Sequence, residues 1–219
     1  MAEPESTTIT QEAPGPLVIY PGLVQLAGHL LAAVDLETTG TRPGYHEIIQ
    51  IAVLPLDSDI KPLAGVRPFY THMRPKHPER ESVGAKHKHK IPMTELLLHA
   101  PEAERVEDWF REWVERLRLP LRRALVPLAH NWAFESAFLK SWLGVAAVDE
   151  LFHSHARDSM LYAIGLNDKA AFAGEPVHFT SVALGSMCRK LSIVNTNPHD
   201  ALADCIAEAE VYRTLLRMF

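Results

Sequence analysis

Two carboxylates at the end of an apolar segment are the first residues in this sequence that indicate chemistry. Asp35 and Glu37 lie in HLLAAVDLETTG, which we interpret as a buried strand that ends in a Thr-Thr-Gly turn. Side chains two residues apart on a strand emerge on the same face, so both carboxylates would lie close together. Such charges repel unless one is protonated or a cation binds between them, and their hard oxygen atoms favour Mg²⁺ or Mn²⁺. The alternative is that Asp35 caps the turn and Glu37 is solvated.

A histidine and a further carboxylate lie near the C-terminus, in NPHDALADCIAEAEVY. On a single α-helix, the five positions between His199 and Asp204 correspond to about 140° around the axis and ~7.5 Å along it. We therefore expect that they do not hold one ion together. The spacing favours a division of roles, in which Asp204 points inward as a ligand and His199 accepts a proton from an attacking water. The alternative is that His199 pairs with Asp200 and that Asp204 is solvated.

Glu135 supplies another acidic position, in the segment LAHNWAFESAFL. A strand is predicted to end at His130 and Asn131, and Glu135 falls in the first turns of the helix that follows. The helix dipole also stabilises a glutamate near a helix N-terminus, so this residue alone does not define a site. Taken with the other two segments, it predicts a cluster of acids and one histidine.

The elements that must position these groups follow from the hydrophobic pattern. Three consecutive strand candidates precede strands that alternate with helices, which predicts an α/β domain whose mixed sheet has hairpins on one side and crossovers on the other. Ligands then bind at the carboxyl ends of the strands. Asn197 is expected to cap the last helix. The predicted strands are 29–40, 47–57, 66–72 and 124–131, and the predicted helices are 102–117, 134–144, 159–164, 180–191 and 198 to the end.

The composition is that of an ordinary globular protein. Hydrophobic residues make up 47% and charged residues 22% of the 219 positions, which excludes wholesale disorder, collagen-like repeats and coiled coils. The length favours one large domain, and we expect a polar, disordered tail over 1–16 and a single domain over 17–219. Two cysteines, Cys188 and Cys205, are too few for a disulfide framework or a four-thiolate zinc site and are expected in the core.

The longest nearly unbroken apolar stretch, 30–34, is far shorter than the ~18 residues that a membrane helix needs. The first residues, MAEPES, lack the basic and apolar character of a signal sequence. We therefore expect a cytoplasmic protein without a membrane partner.

The net charge of −5 argues against a general polyanion-binding protein, but two segments are basic. Residues 72–90 contain six Lys or Arg and two Glu, a local charge of +4, and residues 111–123 hold a second excess of arginine. Beside an acidic centre, the basic residues from Lys86 to Lys90 and from Arg116 to Arg123 would follow the phosphates of a nucleic acid. The alternative is that both segments are solvated surface.

The acidic segments, in this order and spacing, resemble the DEDD superfamily of 3′-to-5′ exonucleases. The resemblance spans about 30–216 and is carried by VDLETTG, EIIQIAV, AHNWAFESAFL and HDALAD. The arrangement of His199 and Asp204 is similar to the histidine branch, which includes the proofreading subunit of bacterial replicative polymerases, ribonuclease T and oligoribonuclease. The resemblance implies a ribonuclease H-like fold, two Mg²⁺ or Mn²⁺ ions, and hydrolysis of terminal phosphodiester bonds at the 3′ end of single-stranded DNA or RNA to nucleoside 5′-monophosphates.

By position, the resemblance also implies the residues of the catalytic centre. Glu37 and Glu135 count among the catalytic residues as well as the metal ligands, and His199 is the general base. The implied metal ligands are Asp35, Glu37, Glu135 and Asp204. The implied substrate contacts are Leu36, Thr38, Thr39, His89, Ile91, Asn131 and Phe134.

Two positions depart from the family pattern. The family has aspartate where this chain has Glu135, so the carboxylate is retained on a side chain that is one methylene longer. The stretch AKHKHKI is similar to the family's Ala-x3-His-Gly-Ile, with Lys90 in place of glycine. Asp158 resembles an aspartate that the family often has before a helix, and we expect it to cap that helix.

We expect an active nuclease because all the acids and the histidine are present. Two other functions stay open. One is a nucleic-acid-binding or protein-interaction module of the same fold that Glu135 has impaired catalytically. The other is a phosphohydrolase that acts on nucleotides or short oligonucleotides.

Overall fold

The computed structural model describes residues 26, 28–119 and 125–218. The predicted tail over 1–16 and the end of the second basic segment lie outside the described residues. Among the described residues, no helix combines the length and the apolar character needed to cross a bilayer.

A mixed sheet forms the centre of the fold, as predicted, and its short fifth strand at Arg157–Asp158 was not predicted. The strand order is β3-β2-β1-β4-β5. The pairs β1–β2 and β2–β3 are antiparallel, whereas β1–β4 and β4–β5 are parallel. Strands β1 and β2 are almost continuously apolar because both of their faces are covered. The strands are β1 (Leu30–Thr38), β2 (Ile48–Pro55), β3 (Phe69–His72), β4 (Leu125–Ala129) and β5 (Arg157–Asp158).

Helices flank the sheet and connect its parallel strands. Helices α3 and α4 agree closely with the predicted segments, α6 is longer and α7 is shorter. Helices α1, α2 and α5 were not predicted. The helices are α1 (Val83–His89), α2 (Met93–His99), α3 (Ala103–Arg116), α4 (Trp132–Leu143), α5 (Val145–Leu151), α6 (Ser159–Phe172), α7 (Leu184–Lys190) and α8 (Ala201–Leu215).

Helix α8 begins later than predicted, and the prediction that Asn197 caps it is wrong. The N-cap is Asp200, whose Oδ1 accepts a hydrogen bond from the backbone N–H of Ala203 at 3.1 Å. His199 precedes the helix with a φ of 68°, in the left-handed region that a helical residue does not adopt. His199 and Asp204 therefore do not share one helix.

Alternate residues of β1 face two different apolar cores. Leu30 and Ala32 pack with side chains of α3 and α4, whereas Leu31 and Ala33 pack with side chains of α8. The alternation places Asp35 and Glu37 on the α8 side of the sheet. Because Ala33 pairs with Leu128 and β4 ends at Ala129, these acids lie beyond the end of β4. The packing thus directs them into the space between the sheet edge and α8. As expected, both cysteines are buried.

Candidate active site

The two acids of β1 lie on one face of the strand, as predicted. Asp35 is opposite Ala52 and Glu37 is opposite Gln50 on β2. A break in the register follows between Glu37 and Thr38, where the strand leaves the ladder. Both acidic side chains are half-buried.

Asp204 faces these acids from the first turn of α8 and is only 8% exposed. Its Oδ2 accepts a hydrogen bond from the backbone N–H of His199 at 3.1 Å, and its Oδ1 accepts one from the side-chain amide of Asn195. These bonds hold the carboxylate in one orientation. The sequence analysis assigned no role to Asn195.

Glu37, His199 and Asp204 converge at the end of the sheet. One potential ligand atom from each residue lies within 4.8 Å of the other two. The expectation that His199 and Asp204 are too far apart to share an ion is therefore wrong. It assumed that both residues are helical, but His199 lies before α8, where the left-handed backbone brings it near Asp204. Two carboxylates and an imidazole at this separation can hold a divalent cation.

Glu135 joins the cluster from the first turn of α4 and is only 5% exposed. Burial first, and then the charges of Asp204 and Glu135, raise the pKa of Asp35 well above its usual range. Glu135 is thus close enough to Asp35 to interact electrostatically despite its longer side chain. Oε2 of Glu135 and Oδ2 of Asp35 are both buried and have no hydrogen-bond partner among the described residues.

The negative charge of the cluster is not balanced by positively charged side chains around it in the described part of the chain. Burial is the largest cause of a raised pKa at all four carboxyls. For Glu37, burial and the charges of Asp204 and Asp200 raise the pKa to about 7, although Lys88 opposes the shift. None of the ion pairs between described residues involves the four acids. Unpartnered oxygens and uncompensated charge are what a bound cation would satisfy.

Gln50 ties the start of α8 to the sheet, a role that the sequence analysis did not assign. It is 2% exposed, and its Oε1 accepts a hydrogen bond from the backbone N–H of Ala201 at 2.8 Å. Its Nε2 donates to the hydroxyl of Tyr70 at 2.9 Å, and that hydroxyl donates to Oδ2 of Asp200 at 2.5 Å. The sequence does carry a signal for this role, because Gln50 is the single polar residue in the apolar run IIQIAV.

The turn after β1 is held by internal hydrogen bonds. The Thr38 hydroxyl donates to the Gly40 carbonyl at 2.6 Å. Thr39 is fully buried: its hydroxyl and N–H bond to the Glu47 backbone, and its carbonyl accepts from the N–H of Ser82. All three polar groups of Thr39 are thus used within the protein. Leu36, the other predicted substrate contact here, is buried among apolar side chains.

His89 lies beside the cluster, at the end of α1, and is 5% exposed. Its Nδ1 accepts a hydrogen bond from the backbone N–H of Ile91 at 3.0 Å. Burial and then the positive charge of His199 lower the pKa of His89, so the two imidazoles lie within electrostatic range of each other. Lys90, between His89 and Ile91, has a φ of 55°. This left-handed conformation favours glycine, the residue expected here from the family pattern.

Asn131 and Phe134 lie at the start of α4, near Glu135. Asn131 is at the N-cap position but its side chain makes no capping bond. Asp158 supplies an equivalent bond: its Oδ2 accepts from the N–H of Trp132 at 2.8 Å. Its Oδ1 accepts from the N–H of Leu161 at 3.0 Å, which confirms the predicted cap of α6. The half-buried ring of Phe134 lies 4.8 Å from that of Phe138.

The basic residues divide into paired and unpaired groups. In the segment 72–90, Arg74, Lys76 and Arg80 contact glutamates. Lys86, Lys88 and Lys90 are exposed and take part in none of the ion pairs between described residues. On α3, the arginines of the second basic segment, Arg111 and Arg116, pair with glutamates one turn earlier.

Solved structures with a similar fold include three nucleases. Escherichia coli exonuclease I in complex with a dT13 oligonucleotide is 16% identical, with a TM-score of 0.66 over 85% of this chain and 41% of that chain. Cell-death related nuclease 4 is 19% identical, with a TM-score of 0.62 over 87% of this chain and 64% of that chain. A 3′-exonuclease solved for its recognition of a histone mRNA stem-loop is 18% identical, with a TM-score of 0.64 and the same coverages.

This chain therefore spans about two fifths of exonuclease I and under two thirds of the other two nucleases. A comparison with curated proteins finds no significant match. In contrast, residues 32–212 match the model of the RNase_T exonuclease family, a range that includes all the acids of the cluster and His199. The chain belongs to the RNase_T exonuclease family, and its mixed sheet with flanking helices is the ribonuclease H-like exonuclease fold.

Proposed function

We propose that this protein is a divalent-metal-dependent 3′-to-5′ exonuclease that releases nucleoside 5′-monophosphates from single-stranded nucleic acid. The observation that supports this most is the convergence of acids from β1, α4 and α8 with His199, in a cluster whose acids form no ion pair with a described Lys or Arg. Membership of the exonuclease family supports the reaction class. Similar folds bound to an oligonucleotide or recognising an mRNA 3′ end support the substrate class.

In this proposal, two Mg²⁺ or Mn²⁺ ions would bind in the cluster. Asp35, Glu37, Glu135 and Asp204 would hold them, because carboxylate oxygens are the ligands that these cations prefer. Bound ions would supply Lewis acidity for the attacking water and stabilise charge on the leaving 3′ oxygen.

His199 would act as general base. Its imidazole is exposed at the mouth of the cluster, where a water can approach, and its backbone is fixed by the hydrogen bond to Asp204. A positioned base of this kind is worth about 10²- to 10⁴-fold in rate.

The substrate would enter along α1. Lys88 lowers the pKa of Glu37, so its ammonium group is within electrostatic range of the cluster. Together with Lys86 and Lys90, it would contact phosphates upstream of the scissile bond. The terminal nucleotide would lie beside the cluster, and its base would stack on Phe134 or contact the apolar side chain of Ile91. The remaining proposed contacts are Leu36, Thr38, Thr39, His89 and Asn131.

The test is incubation with 5′-labelled single-stranded DNA and RNA in Mg²⁺, Mn²⁺ or chelator. We expect a ladder that shortens from the 3′ end, lost in chelator and in Asp204→Asn. If the protein binds the labelled strands but does not cleave them, the result would instead support the catalytically impaired binding module. Hydrolysis of mononucleotide esters without shortening of strands would support the phosphohydrolase.

A further inference from the structure

A fifth carboxylate, Glu208, lies in the interior of the protein behind the acidic cluster. It is 0% exposed and follows Asp204 by one turn of α8. Residues four apart on a helix share a face, so both acids point from α8 in the same direction. Neither the helical pattern nor the family resemblance drew attention to this residue.

Glu208 has no group in the described protein that balances its charge. Neither of its carboxyl oxygens makes a hydrogen bond of good geometry with a described residue, and none of the ion pairs between described residues includes it. Burial, followed by the charges of Asp35, Glu135 and Asp204, raises its pKa well above the usual range, although the nearby backbone N–H of His130 opposes the shift. The three acids that act on Glu208 belong to the cluster described above, so its carboxyl group lies within their electrostatic reach.

A purely structural role does not account for this residue. Buried polar side chains almost always have hydrogen-bond partners, and a buried unpaired acid is less favourable than an apolar residue of similar volume. Its helix neighbours Ala207 and Ala209 are buried in apolar cores, which an apolar side chain at 208 would extend. An ionised carboxylate at this position is favourable only beside a cation.

We propose that Glu208 is a fifth carboxylate of the cation site, located at its buried end behind Asp35 and Glu135. This inference rests on the proposed metal-dependent function. With Glu208, the cluster has five acids rather than the four that the family resemblance implies. The additional negative charge strengthens cation binding, and the cation in turn satisfies oxygens that the protein leaves without partners.

The test is calorimetric titration of the full chain with Mn²⁺ alone. Glu208→Gln keeps the shape and removes the charge, so we expect Mn²⁺ affinity to fall by about 10- to 100-fold. Glu210→Gln is the matched control on the same helix, because Glu210 pairs with Arg213 rather than with the cluster. The control should bind Mn²⁺ as the wild type does.

Thermal unfolding provides a second measurement. The increase in Tm on adding Mn²⁺ should be smaller for Glu208→Gln than for the wild type, whereas Tm in chelator should be equal or higher. If Glu208→Gln does not fold, Glu208→Asp takes its place: its retracted carboxylate should weaken Mn²⁺ binding about tenfold.

Wild-type Mn²⁺ affinity in a folded Glu208→Gln variant would overturn the inference, as would wild-type affinity in Glu208→Asp if the glutamine variant is unfolded. Either result leaves the proposed exonuclease function intact, because the wild type still binds the metal. A wild-type protein that binds no Mn²⁺ would overturn both proposals.

Discussion

The backbone N–H of His199 donates a hydrogen bond to Oδ2 of Asp204 at 3.1 Å. Because the donor is the backbone, the contact does not occupy the imidazole, which is exposed beside the same carboxylate. The residue thus positions a metal-ligand candidate with its main chain and offers a proton acceptor with its side chain. These two roles are separable by mutation.

His199→Ala should retain the backbone bond to Asp204 and remove only the imidazole. We expect single-turnover cleavage to slow by about 10²- to 10⁴-fold while Mn²⁺ affinity changes little. Calorimetry and rapid-quench kinetics on the same preparation measure the two effects. Parallel losses of affinity and rate would instead identify His199 as a metal ligand.

Asp35→Asn should abolish cleavage and stabilise the metal-free protein. Besides burial, the charges of Asp204, Glu135, Glu37 and Asp200 all raise the pKa of Asp35, so removing the charge of Asp35 relieves repulsion within the cluster. Activity assays and melting curves in chelator measure the two changes. Full turnover by the variant would contradict the proposed metal site.

At position 135 this chain has glutamate where the family has aspartate, so the side chain is longer by one methylene. If the backbone of α4 accommodates the longer side chain, Glu135→Asp retracts a ligand by ~1 Å, and such an error can cost about 100-fold in rate. Glu135→Gln, which keeps the length and removes the charge, should be nearly inactive. A faster Glu135→Asp variant would show that the site is not adjusted to glutamate, and an active Glu135→Gln would show that this carboxylate is dispensable.

Without metal, stability should fall as pH rises. Burial and then the charges of Asp204 and Asp200 raise the pKa of Glu37 from 4.5 to about 7. Between these values the folded protein holds a proton that the unfolded chain has released, so the free energy of unfolding decreases with increasing pH. Urea unfolding in chelator from pH 5 to 8 measures this.

Glu37→Gln should make that pH dependence shallower. In the wild type, added Mn²⁺ should restore the stability that is lost at the alkaline end. The variant also controls for the opposing effect of His89, whose lowered pKa makes stability rise with pH. An unchanged slope in Glu37→Gln would contradict the assignment of this effect to Glu37.

Neutralising Lys86, Lys88 and Lys90 together should weaken binding of long strands more than of dinucleotides. Each lost phosphate contact should reduce the slope of log affinity against log salt by about 0.7 on single strands. Arg111→Gln with Arg116→Gln is a control, because both arginines already pair with glutamates on α3. An equal change of slope in the control would assign the effect to net charge.

Local patterns in the sequence were enough to predict much of the site. Strand alternation put Asp35 and Glu37 on one face, and a strand followed by a helical pattern put Glu135 in the first turn of α4. Both predictions depend only on the period of regular elements, which neighbouring residues determine. The mixed sheet followed from the order of those elements.

The start of α8 depended on the tertiary structure. Asn197 and Asp200 are both good N-cap residues, so the sequence alone does not choose between them. Gln50 decides for the second, because its Oε1 bonds to the N–H of Ala201, and Tyr70 adds a bond to Asp200. These partners lie on β2 and β3, far away in sequence, and they bring His199 near Asp204.

The burial of Glu208 was likewise not predictable from the sequence. The sequence places it one turn after Asp204, but a glutamate in an amphipathic pattern is expected on the solvated face. Only the packing of α8 against the sheet buries it and brings it near Asp35 and Glu135. Periodicity determines which residues share a face of a helix, whereas contacts between distant segments determine what that face meets.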